Sequence, residues 1–420
     1  MLAGASRAEP RQPVNPVAGT QGFLVMTEGN ARLVGAENEG TVAVGGDLSF
    51  GNYQVALQTA GSFVVPPDTN PTALVVGGRV DFAGSVPGSR LQILQNGYVK
   101  VGDLTGTYVR DTDNNGAAVN TRVLPADDYD ASPRVELVTR QPVSSVGPAS
   151  PIDFASAFTG FRQTTADLAI CEQNVVLRTP NGDPLPRPIP PGSNAVVTLT
   201  PGVTNVLNLT ATDLANIAVL TFADQPAADT PLLINVDTRD VGDQFIWRAP
   251  NFAGIGGQQA RYVLLNFPTA TSITLTPDSA TIEGTLYAPN ADLTATTQSN
   301  IEGSIISRTL THDGGEIHDF PFSSTLNCVS TSPTASPTTP TASPTSSPTV
   351  SPTSSPTSGP TTGPPISPTW HPSYDPTRRP HPPLPVTGAT VWPLLGVGAV
   401  AAGSGAGLLL LARQRRREAN

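Results

Sequence analysis

The chain has 420 residues, a net charge of −10 and only 13% charged residues, which is length for one large domain or two ordinary ones. No basic cluster precedes the extreme tail, so a nucleic-acid binder that tracks phosphates is excluded. Lys100 is the only lysine, which also excludes a pilin-like array locked domain by domain through Lys–Asn isopeptide bonds.

Residues 1–18 contain no apolar run long enough for the centre of a signal peptide, yet Ala3-Gly4-Ala5 and Ser6-Arg7-Ala8 read like a cleavage end. The expectation is an exported chain whose apolar signal is encoded upstream, with 1–18 a signal or linker remnant. From residue 19 short β-branched runs are punctuated by glycine. Thr41-Val42-Ala43-Val44-Gly45-Gly46-Asp47-Leu48-Ser49-Phe50 is answered by Leu74-Val75-Val76-Gly77-Gly78-Arg79-Val80-Asp81-Phe82, and residues 99–104 form a degenerate third copy. Strand, Gly-Gly, strand is the pattern of a chain that turns a corner, and its repetition points to a solenoid.

Asp111-Thr112-Asp113-Asn114-Asn115-Gly116 opens like a calcium loop, but Arg122 stands where the bidentate glutamate belongs, so the segment reads as an Asx-rich turn between strands. One helix is expected, over 151–174. Ser150 is its cap, Pro151 its first residue, and Phe154, Phe158, Phe161, Thr165 and Leu168 its apolar stripe. One such stripe in a β chain must lie on a sheet face. Residues 180–191 are a proline-rich connector.

β patterning resumes at Ala195, with strands expected at 196–199, 206–209, 217–222, 232–236 and 262–267. Ile282-Glu283-Gly284 recurs 19 residues later as Ile301-Glu302-Gly303, each followed by alternation, which fits one rung of a parallel β-helix. These repeats, with Leu264-Leu265-Asn266-Phe267-Pro268, Leu286-Tyr287-Ala288-Pro289-Asn290 and Thr311-His312-Asp313-Gly314-Gly315-Glu316-Ile317-His318, resemble the choice-of-anchor A family over residues 19–328. The pattern is also similar to the β-helix of bacterial ice-binding proteins. The resemblance implies a mainly β, right-handed parallel β-helix with the long helix packed alongside, carried by a surface protein that acts as an adhesin.

Three chemistries are weighed in this domain. Asp237, Asp240 and Asp243, or His312, Asp313, Glu316 and His318, are the acids a glycosidase would need, and the histidines with Glu316 are the available metal ligands. The reading adopted is no catalytic, cofactor or metal site. An ice-binding face would show a ladder of threonines, of which Thr294, Thr296 and Thr297 supply one rung. Cys171 and Cys328 are the only cysteines, and in an exported chain they are expected to form a disulfide, the other reading being two buried thiols.

Residues 329–383 repeat Ser-Pro-Thr with almost no apolar content, so a disordered, extended stalk is expected there. Leu384-Pro385-Val386-Thr387-Gly388 follows, then an apolar segment over 390–412 and Arg413, Arg415, Arg416 and Arg417. An apolar run of about 20 residues spans a bilayer as a helix, and arginines hold its end in the cytoplasm. Pentapeptide, transmembrane helix and basic tail in that order, over 384–420, resemble the LPxTG cell-wall sorting signal of Gram-positive bacteria. The resemblance implies sortase as a partner, cleavage after Thr387, an amide link from Thr387 to peptidoglycan, and a membrane precursor that loses its helix. The partner of the domain itself is expected to be an extracellular protein or glycan.

Overall fold

The computed structural model describes residues 12–327; Cys328, the stalk, the pentapeptide Leu384–Gly388 and the apolar tail lie outside the described residues. Short parallel strands wind through three faces in repeated turns, with alternate side chains pointing inward to a continuous apolar core. The fold is mainly β, with parallel sheets.

The order of strands on the first face gives the topology. It runs Asn205–Thr210, Leu232–Asp237, Val263–Asn266, Thr285–Ala295, Ile305–Asp313, Val25–Thr27, Val42–Val44, Thr72–Val76, Tyr98–Val101, and every neighbouring pair is parallel. The chain therefore starts in the middle and coils outward to Tyr98–Val101. It then crosses to the far end and coils back until its last turns stack on its first. The seam between the halves is closed on all three faces: Ile305–Ser307 with Val25–Thr27, Leu310–Asp313 with Ala31–Gly35, and Ile317 with Asn38.

The crossing is made by the long helix, Phe154–Ala169. It is shorter than the sequence pattern predicts at both ends. Asp153, not Ser150, is its N-cap, its carboxylate accepting from Ser156 N, so Pro151 stays outside the helix. All five stripe residues are buried. A 16-residue helix is about 24 Å long, or roughly five strand spacings of about 4.8 Å. That length lets it bridge the two halves: Phe154 lies over Gly45, Arg162 reaches both Glu28 and Asn290, and Asn235 Nδ2 donates to Leu168 O.

What the helix covers is the outward row of the first face. Tyr287, Ile306, Met26, Ala43 and Val75 form its apolar part. Under the helix C-terminus the row turns polar, with Asn208, Asn235 and Asn266 in register. The asparagine amides bond to one another (3.0 and 2.8 Å) and donate to the carbonyls of Cys171, Leu168 and Thr165. Carbonyls at a helix C-terminus are short of regular intrahelical donors; Leu168 O accepts from Cys171 N, and this ladder adds side-chain donors around it.

Corners are made by glycine. A Cβ on Gly77 would collide with the carbonyl of Gly45, and one on Gly102 with that of Gly77, so successive turns stack through residues without side chains. Both ends are blunted against further pairing. At one end Asn174 and Val175 cover the strand Asn205–Thr210 by donating to Val206 O. At the other the antiparallel strands Tyr108–Thr112 and Ala118–Leu124 close the third face beyond Arg134–Leu137. The turn joining them is built on Asp113, whose carboxylate accepts from Asn115 N and Ala117 N, and Arg122 bonds to Tyr129 O and Asp130.

Candidate functional site: the hydroxyl face

The second face consists of Gln244–Trp247, Ser272–Leu275, the ends of Thr285–Ala295 and Ile305–Asp313, Ala31–Gly35 and Leu48–Phe50. No helix covers it among the described residues. Phe245, Ile273, Leu293, Leu310, Leu33 and Phe50 point inward and fix the register. The residues between them point out, and the register aligns Ile246, Thr274, Thr294, Thr311, Arg32 and Ser49 in one row. Three threonines thus stand on three adjacent strands, about 4.8 Å apart.

Their hydroxyls differ from their neighbours'. Thr274, Thr294 and Thr311 make no side-chain hydrogen bond among the described residues, whereas Thr309 donates to Asp292, Thr276 to Asp278 and Thr296 to Leu275 O. The three threonines are flanked in the row by Ile246, 73% exposed, and by Arg32, which donates to Gly84 O. Of the sequence-derived rung, Thr294 belongs to this row and Thr296 lies beside it, while Thr297 is buried and donates to Ser279 O. Thr274 and Thr311 escape notice in the sequence because their strands lie 20 and 17 residues away from Thr294 in unequal turns.

The acids do not converge. Asp237 is held by Arg239, which keeps its carboxyl below the ordinary range; Asp240 accepts from Thr212 N and Asp243 from Thr238. His312 and His318 are parted by the sheet. His312 is inside, 2% exposed, with Nδ1 3.0 Å from Tyr53 Oη, and burial holds its pKa down to about 4. His318 is on the outside of the third face, each ring nitrogen 2.9 Å from a carboxylate oxygen, Glu302 and Glu316. Burial alone would lower its pKa, but the hydrogen bond to Glu316 and the charge of Glu302 raise it. Asp313 is exposed. His312, Glu316 and His318 thus share no centre, and no metal-binding group of side chains is present among the described residues.

Cys171 is 2% exposed at the end of the long helix. Asn327 N donates to Thr204 Oγ1, and Thr204 O accepts from Asn174 Nδ2, which brings the last described residue beside the segment that follows Cys171. Its expected partner Cys328 lies outside the described residues.

Residues 16–319 match the family described as Putative Ice-binding-like adhesive domain. The chain belongs to this family. The adhesive domain is also similar to a solved ice-binding protein from an Antarctic biological consortium (13% identity, 76% of this chain and 96% of that one, TM-score 0.27). A glycosylated ice-binding protein from an Arctic yeast follows at 11% identity, covering 73% of this chain and 91% of its own, with a TM-score of 0.23. No curated protein matches the chain.

Proposed function

We propose that the chain is a cell-wall-anchored adhesin of a Gram-positive bacterium, which binds an extracellular protein or glycan through its uncovered hydroxyl face and catalyses nothing. The observation that carries the reading is the union, in one chain, of a family-defined adhesive domain with the LPVTG, apolar and arginine order of the tail. Sortase cleaves after Thr387 and joins its carbonyl to a peptidoglycan amine, so the membrane helix serves only the precursor. The polypeptide leaves the described domain at the Asn205–Thr210 end, where Asn327 bonds to Thr204. A disulfide from Cys171 to Cys328 fastens that exit and protects the last turn when the tether is pulled.

The test has two arms. Thr387→Ala in cells shifts the protein from the wall fraction to membrane and medium; unchanged wall attachment overturns the anchor. The purified domain, residues 12–328, is screened on matrix-protein and glycan arrays beside Thr294→Arg, which sets a long cation in the middle of the row. Saturable binding lost in the variant supports the adhesive face. Binding that survives moves the ligand elsewhere.

The in-register hydroxyls, without side-chain hydrogen bonds among the described residues, favour a second reading, attachment to an ordered solid such as ice. Thermal hysteresis in the wild type, abolished by Thr294→Arg, would establish it.

A further inference from the structure

On the third face the two halves of the solenoid meet through a single ladder pair, Ile317 with Asn38, so side chains carry much of that junction. The register stacks Glu283 beside Glu302 through the Ile282–Ile301 bridge, and Glu302 beside His318. Glu39 accepts from Asp319 N, and its own amide donates to Ile317 O. Five carboxyl groups act on one imidazole here: Glu283, Glu302 and Glu316 from the C-terminal half, Glu37 and Glu39 from the N-terminal half. Asn300 Nδ2 and the edge of Phe320 also border His318, and Arg261 packs over Phe320 and donates to Asp319 O.

We propose that this edge of the junction is a proton-operated clasp: His318, bonded at both ring nitrogens to Glu302 and Glu316, fastens the last turns of the C-terminal half where they face Glu37 and Glu39 across the seam in mildly acidic surroundings, and its deprotonation loosens that edge. A neutral imidazole has one N–H and can donate to only one carboxylate; imidazolium serves both. Loss of that proton leaves a nitrogen lone pair against a carboxylate and removes the positive charge from a cluster whose carboxylates already repel one another.

The titration runs in one direction. His318 has a raised pKa in the fold, so its contribution is whole below its ordinary value near 6.5 and disappears as pH rises through the raised value. Burial, followed by the charge of Glu302, pushes Glu283 up from 4.5 to about 7. Its contribution too is present in acid and is lost as pH rises toward 7. His312 acts oppositely, but only as pH falls from 6.5 toward about 4, outside the window of the clasp.

Amide hydrogen exchange on the full-length chain at pH 6 and pH 8.5, corrected for intrinsic rates, tests this. The Glu39 amide, which donates to Ile317 O across the seam, and the Ile301 amide, which donates to Glu316 O in the clasped turns beside it, both lose protection at the higher pH. The Asn205 amide, bonded to Pro231 O at the far end, does not. In His318→Gln the seam amides lose their pH dependence. Equal loss at seam and far end, or a pH dependence retained in the variant, overturns the clasp. Should the variant not fold, the wild-type imidazole signal in contact with Phe320 decides: titration above the free-imidazole range supports the clasp, titration at or below it refutes it.

Discussion

A residue without a side chain decides whether turns of this solenoid can stack. Gly45, Gly77 and Gly102 occupy equivalent corners, each too close to the carbonyl one turn away to hold a Cβ. Gly77→Ala is therefore expected to destabilise by about 1–3 kcal/mol, the range of overpacking in a rigid interior, measured as a lowered urea midpoint with unchanged slope. Gly160 is the counter-case: exposed on the long helix, with nothing within 4 Å of its Cβ position. Gly160→Ala should stabilise by about 0.5–1 kcal/mol on helix propensity alone. The corner glycines were legible because strand chemistry flanks them on both sides. The hydroxyl row was not, since only the register brings Thr274, Thr294 and Thr311 together.

At the scale of elements, the long helix was legible through its stripe, and its ends were misplaced. Ser150-Pro151 is a favourable start by local preference, but the Asp153 side chain reaches Ser156 N and wins the cap. Less accessible to sequence reasoning was what lies beneath. Asn208, Asn235 and Asn266 each sit inside an apolar run, where an asparagine reads as an interruption; stacked, they become donors for the end of a helix. Asn266 is fully buried and serves Thr165 O at 3.0 Å and Asn235 Oδ1 at 2.8 Å. Asn266→Ala leaves Asn235 Oδ1 and the Thr165 hydroxyl, which donates to Asn266 Oδ1, without these partners out of water, at a cost of about 3 kcal/mol. Gly160→Ala, on the same helix but facing solvent, supplies the contrast within one set of denaturation curves. A cost below about 1 kcal/mol for Asn266→Ala would mean that the ladder does not anchor the helix.

For the whole molecule, the sequence revealed turns but not their order. Ile282 and Ile301 stand 19 residues apart, whereas the pairs Val25–Val42 and Val42–Leu74 are separated by 17 and 32, because insertions enter at the corners. A reader of the chain stacks turns in sequence. The protein stacks its last on its first, since the long helix delivers the chain to the opposite end. That topology makes the helix the connection common to both halves: its buried stripe packs on Met26, Ala43 and Val75 from one and on Leu233, Leu264 and Tyr287 from the other. Phe158, fully buried and edge-on to Phe161 at 5.2 Å, lies in this shared layer; Phe245, 2% exposed, stacks on Trp247 and lies beside Phe267 within the C-terminal half. Either truncation to alanine should cost about 3–5 kcal/mol. They should differ in cooperativity. Phe245→Ala lowers one unfolding transition, while Phe158→Ala separates the halves, so that in urea the amides of Val42–Val44 and Leu232–Asp237 lose protection at different concentrations. A single coincident transition in Phe158→Ala would show that the seam strands alone, without the helix, make the solenoid one cooperative unit.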